Sequence, residues 1–143
     1  MPARVFFDTG PLLAAVIDQD PDHARARNLL ERLSDGEWAA AHTSDYVLAE
    51  AFNYIRRKTK NPAPADALHR LVWGTADIEP LLASVVRIHG GRFAQALEHY
   101  RARFELGLSL TDWTSVVAMR DAGLAQIATF DAGFHAVVPT VVA

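Results

Sequence analysis

Arg4-Val5-Phe6-Phe7-Asp8-Thr9-Gly10-Pro11-Leu12-Leu13 is the stretch on which the reading of the fold turns. Arg4 to Phe7 is a short β-branched and aromatic run that predicts a strand, Thr9-Gly10-Pro11 predicts a turn, and a helix follows from about Pro11. A strand, a turn and a helix in that order make the opening unit of an α/β sheet. In such sheets the ligand crevice lies beyond the carboxyl ends of the strands, so Asp8 stands where a functional carboxylate would stand. An aspartate just ahead of a proline-started helix also suits the N-cap position. Position alone leaves the two roles level.

Working outward, Asp20-Pro21-Asp22 predicts a second helix to about Leu33, and Glu37 to Ala41 a weak second strand. Thr43-Ser44 offers a hydroxyl cap for a third helix running to about Arg57, which Asn61-Pro62-Ala63-Pro64 ends. A further helix is expected from Asp66 to Trp73, a third strand at Val85 to Ile88, and a helix from Phe93 to Phe104. Residues 76 to 84 stay unassigned because Pro80 interrupts their pattern. A helix opening at Asp112 carries Trp113, Val116 and Val117 and stops at Gly123. The apolar run before Asp131 then reads as a buried strand, and Ala136-Val137-Val138 as a closing one. Strands alternating with helices predict a mostly parallel sheet covered on both faces.

Composition limits what this fold does. A chain of 143 residues, half of them hydrophobic, is expected to form one domain over 1–143 with a core that needs no cross-links. With no cysteine, disulfides, thiolate nucleophiles and cysteine-bound metals are excluded, which suits a reducing cytoplasm. The longest unbroken apolar run, Leu12 to Ile17, is too short to span a membrane, so a soluble protein is expected. A net charge of −3 gives no general attraction for nucleic acid, and any phosphate-bearing substrate would need local cations or bound metal.

The chemistry-bearing residues are acids. Glu50 lies beside the apolar stripe of the third helix (Val47, Leu48, Ala51, Phe52, Ile55), where alone it reads as an ordinary surface glutamate. Asp112 closes Ser109-Leu110-Thr111-Asp112, a capping-box pattern that by itself explains it. Asp131 follows a strand end, as Asp8 does, and a chain folding back after Gly123 brings it toward Asp112. The basic run Arg56-Arg57-Lys58 complements the end of the third helix and is a candidate RNA contact. The six histidines show no zinc-like spacing, and there is no phosphate-cradling glycine loop or serine-nucleophile elbow.

Taken together, Phe7-Asp8-Thr9-Gly10-Pro11-Leu12, Leu48-Ala49-Glu50, Ser109-Leu110-Thr111-Asp112 and Thr129-Phe130-Asp131-Ala132-Gly133-Phe134 resemble the PIN-domain ribonucleases, specifically VapC-type toxins. The acids follow one another at intervals of 42, 62 and 19 positions, and the resemblance spans essentially the whole chain. It implies a three-layer α/β/α domain. Asp8, Glu50, Asp112 and Asp131 would be the catalytic, metal-holding quartet, supported by the hydroxyls of Thr9 and Thr129. It further implies endonucleolytic hydrolysis of RNA with Mg²⁺ or Mn²⁺, leaving 5′-phosphate and 3′-hydroxyl ends, together with homodimerisation and inhibition by a small antitoxin protein. Trp113 departs from the pattern, because a small residue usually follows the third acid; its bulk either narrows the site or packs sideways into the core. Two other classes remain: a non-catalytic RNA- or protein-binding module, and an aspartate-based phosphatase with Asp8 as nucleophile. The latter chemistry wants an acid where Gly10 stands.

Overall fold

The computed structural model describes residues 2–142. Among them run five strands, β1 (Arg4–Phe7), β2 (Ala40–Ser44), β3 (Ser84–Val86), β4 (Gln126–Ala128) and β5 (Thr140–Val142). Six α-helices accompany them: α1 (Thr9–Val16), α2 (His23–Ser34), α3 (Asp45–Lys58), α4 (Pro62–Trp73), α5 (Gly90–Ala102) and α6 (Leu110–Ala122). The strands form one sheet in the order β3-β2-β1-β4-β5, and each neighbouring pair is parallel. The sheet is therefore parallel throughout the described residues rather than mostly so.

The first strand sits at the centre because its side chains suit burial on both faces. Val5, Phe6 and Phe7 have no exposed surface, as a central parallel strand demands. From β1 the chain steps outward to β2 and β3 through α1 to α4, then returns to β4 through α5 and α6. Right-handed crossovers put these two helical sets on opposite faces. Helix α1 packs on α2, α3 and α4, and α5 packs on α6, while α3 also meets α6. The result is a three-layer α/β/α domain. The strand order reverses between β1 and β4, and the crevice expected at such a switch point opens where Asp8 and Asp131 leave the sheet.

Several boundaries differ from the sequence expectations, each for a local reason. The second strand begins at Ala40 instead of Glu37, since its register is set by pairing Arg4 with Ala40 and Phe6 with His42. The preceding Trp38 is instead pinned by its indole N–H, which donates to Gln126 Oε1 at 2.8 Å. Helix α4 begins at Pro62, because the Asn61 side chain accepts from the Ala63 N–H, and proline is tolerated where no helical N–H partner exists. Helix α5 starts at Gly90, with the His89 ring accepting from the Arg92 N–H. The closing strand is not Ala136 to Val138. Asp131 caps a 3₁₀ turn over Ala132–Ala136, which displaces β5 to Thr140–Val142.

Candidate active site at the sheet switch point

Asp8 is the most enclosed of the four acids, at 6% exposure. It occupies the N-cap position of α1, yet its side chain makes no capping bond. Its Oδ2 instead accepts from the Thr129 hydroxyl at 2.7 Å. The same hydroxyl accepts from the Asp131 N–H at 3.0 Å, so one threonine joins the ends of β1 and β4. On the other side, the Thr9 hydroxyl donates to Glu50 Oε2 at 2.8 Å, drawing an exposed helix side chain toward the crevice.

Helix α6 delivers Asp112 as its third residue. The capping box expected from Ser109 and Asp112 is present in both directions: Ser109 Oγ accepts from the Asp112 N–H at 3.0 Å, and Asp112 Oδ2 accepts from the Ser109 N–H at 2.8 Å. Among the described residues the other carboxylate oxygen makes no hydrogen bond, so capping occupies half of the group. Asp131 caps the following turn through Oδ1, which accepts from the Gly133 N–H at 2.8 Å.

The electrostatics show that these acids share one field. Burial pushes Asp8 up to about 6, opposed by the Thr129 hydroxyl and reinforced by the charges of Asp112 and Glu50. Burial likewise raises Asp112, with Ser109 pulling it down and Asp131 and Glu50 pushing it up. No arginine, lysine or histidine forms an ion pair with any of the four among the described residues. Uncompensated carboxylates around a crevice call for a cation.

A hard divalent ion suits this donor set of oxygens. Among the described residues, no three acidic or histidine side chains converge tightly enough to form a complete ligand cage. Mg²⁺ does not require one, because it keeps several waters and takes one or two carboxylates directly. In such a water-rich site Asp8 and Asp112 would hold the ion, with Glu50 and Asp131 as further oxygen donors.

Trp113 packs sideways rather than narrowing the crevice. It is 1% exposed, with the His99 ring of α5 stacked at 5.3 Å and the Arg103 guanidinium 5.6 Å from its centroid. Among the described residues its buried indole N–H has no partner. Arg56, Arg57 and Lys58 are exposed on the last turn of α3, and Arg57 lies two turns from Glu50, about 10 Å along the axis. Lys58 lines a groove of about 700 Å³ with Asp18, Asp20 and Tyr54, and Arg56 lines a second groove with Phe52 and Lys60. Sequence reasoning overlooked Arg25 of α2, whose guanidinium lies over the Phe130 ring beside Asp131. Nothing local in the sequence signals that contact.

Comparisons with known proteins bear on the fold. No curated protein sequence matches the chain. Among solved structures, it is similar to the Mycobacterium tuberculosis toxin VapC20, a sarcin-ricin loop cleaving toxin, with 24% identity, a TM-score of 0.74, and coverage of 92% of this chain and 93% of that one. It is also similar to a chain of Rickettsia felis VapBC2 bound to a promoter DNA fragment, at 13% identity, TM-score 0.67, and 97% coverage of both chains. A third likeness is to Neisseria gonorrhoeae FitAcB, at 20% identity, TM-score 0.62, and coverage of 97% and 96%. The family model for the PIN domain matches residues 5–138, nearly the full length, and the chain belongs to the PIN-domain family.

Proposed function

We propose that this protein is a metal-dependent endoribonuclease, the VapC-type toxin of a toxin–antitoxin pair, with Asp8, Glu50, Asp112 and Asp131 as its catalytic metal-holding quartet. The observation that carries this reading is Asp8 itself. It is a buried carboxylate at the sheet switch point, pushed up to about 6, with neighbouring acids and no cationic partner. A structural carboxylate so deeply buried is normally paired with a cation. Asp8 has only the Thr129 hydroxyl and the Thr9 backbone N–H.

A bound Mg²⁺ or Mn²⁺ would supply the chemistry, lowering the pKa of a coordinated water and neutralising charge on the phosphate. The chain's own residues hold and aim. Thr129 restrains Asp8 by donating to Oδ2. Ser109 holds Asp112 at the N-terminus of α6, and its hydrogen bonds oppose the upward push of burial on the carboxylate. Thr9 restrains Glu50 from the far side. Hydrolysis is expected to leave 5′-phosphate and 3′-hydroxyl ends. The similarity to the VapC20 toxin and to VapBC2 and FitAcB supports an RNA substrate and a small antitoxin partner, and a homodimer in the cytoplasm fits the same reading. No helix among the described residues is long and apolar enough to cross a membrane.

Labelled structured and unstructured RNAs incubated with the protein in Mn²⁺ test this directly. Cleavage is expected for wild type, and none for Asp112→Asn or in chelator. Equal cleavage by both proteins, or cleavage that survives chelation, would overturn it.

A further inference from the structure

Arg25 is held at the edge of the acidic crevice without pairing to any of its acids. It is the third residue of α2, and its guanidinium carbon lies 4.3 Å from the centroid of Phe130. Phe130 links Thr129, which binds Asp8, to Asp131. A Cβ on Gly10 would lie 3.7 Å from the Phe130 ring, so the ring rests against the turn that carries Asp8 and Thr9. Arg25 is thereby anchored from a different helix onto the lip of the site.

Three features distinguish it from an arginine that merely covers an aromatic ring. Its side chain remains 54% exposed, so covering Phe130 does not consume it. One N–H donates to Asp22 Oδ1 at 2.9 Å, and among the described residues it makes no other hydrogen bond, which leaves most of a five-donor fork open. Among the described residues it forms no ion pair with any of the four acids, so it does not take the place of a cation between them. A guanidinium backed by an aromatic ring and steadied by an exposed, weak ion pair is ordered before any ligand arrives, and its planar fork matches phosphate oxygens two at a time.

We propose that Arg25, seated on Phe130, binds a backbone phosphate of the RNA next to the one positioned at the acids, fixing where the strand crosses the site. This rests on the ribonuclease reading above. It also supplies what the overall charge of −3 lacks, a local cation at the crevice, whereas Lys58 of the basic run lines a different groove. Arg25 binds substrate, and Phe130 is its positioning residue.

The test measures anisotropy of a fluorescein-labelled single-stranded RNA of mixed sequence, across a series of KCl concentrations, on the full chain in the non-cleaving Asp112→Asn background. Adding Arg25→Gln should weaken binding by about tenfold at low salt and reduce the log–log salt slope by about one, as loss of one phosphate contact does. Arg25→Lys should restore the slope but only part of the affinity, since it keeps charge and loses the fork. Phe130→Leu should weaken binding while leaving the slope closer to that of the parent. Melting should be unchanged by Arg25→Gln, because the side chain is exposed. Equal affinity and slope in the Arg25→Gln protein and its parent would overturn the proposal. If RNA binds with the predicted slopes while wild type and Asp112→Asn cleave RNA alike, the metal reading fails and the phosphate contact stands. Absence of any RNA binding would overturn both.

Discussion

The Thr129 hydroxyl donates to Asp8 Oδ2 at 2.7 Å, joining residues 121 positions apart, and it also accepts from the Asp131 N–H. The strand ends on either side of the switch point are thus locked by one side chain. Thr129→Val keeps the shape and removes the oxygen, leaving a buried carboxylate and a backbone N–H without their partner. It should cost about 1–3 kcal/mol, whereas Thr129→Ser should cost less than half of that. Urea unfolding of the two variants checks the order, and equal losses would point to packing of the methyl group.

Asp8 makes the metal-free protein depend on pH in an unusual direction. Its folded value of about 6 lies above the ordinary 3.8, so between those values the folded chain keeps a proton that the unfolded chain releases. The stability it contributes is fully present below the ordinary value and is lost as pH rises through about 6, a loss on the order of 3 kcal/mol. Asp8→Asn imitates the protonated form. In chelator it should melt above wild type at neutral pH, with the difference closing as the pH falls toward 4. A variant that melts below wild type at both ends of that range would contradict the burial account.

Asp112 caps its helix through one oxygen, and in the proposed site the other would serve the metal, which permits a separation of roles. Asn keeps an oxygen to accept from the Ser109 N–H, so Asp112→Asn should melt close to wild type while losing RNA cleavage. Ser109→Ala removes the cap itself and should cost about 1 kcal/mol. Thermal melts paired with cleavage assays decide it; a large loss of stability in Asp112→Asn would mean that the charge mainly serves the helix.

Trp113 illustrates how a residue beside the site can belong to the core. Because its indole N–H has no partner, Trp113→Phe gives up ring volume but also removes an unsatisfied buried donor. It should be mild, and Trp113→Ala should cost about 3–5 kcal/mol. RNA cleavage by Trp113→Phe at wild-type level is expected, since the ring packs on α5.

The central strand was legible because Arg4 to Phe7 is short, β-rich and followed at once by turn residues. Ser109 and Asp112 announced their helix, since a capping box is encoded within four positions. Helix starts at Pro62 and Gly90 were missed because proline and glycine read locally as breakers, whereas Asn61 and His89 cap them. The last strand was misplaced because Val137 and Val138 look strand-like until the Asp131 cap commits the preceding residues to a 3₁₀ turn. In the crevice, four acids in order suggested a common site. The Thr9–Glu50 and Thr129–Asp8 bonds that aim them, and the placing of Arg25 on Phe130, depend on sheet order, which no local pattern states.

The shared cation site is tested most directly by titrating Mn²⁺ into the protein and following free Mn²⁺ by its EPR signal. Wild type should bind the ion, and Asp8→Asn and Asp112→Asn should each weaken that binding by about tenfold or more, with Ser109→Ala weakening it less. Wild type that binds no Mn²⁺, or variants that bind it as tightly as wild type, would contradict the account.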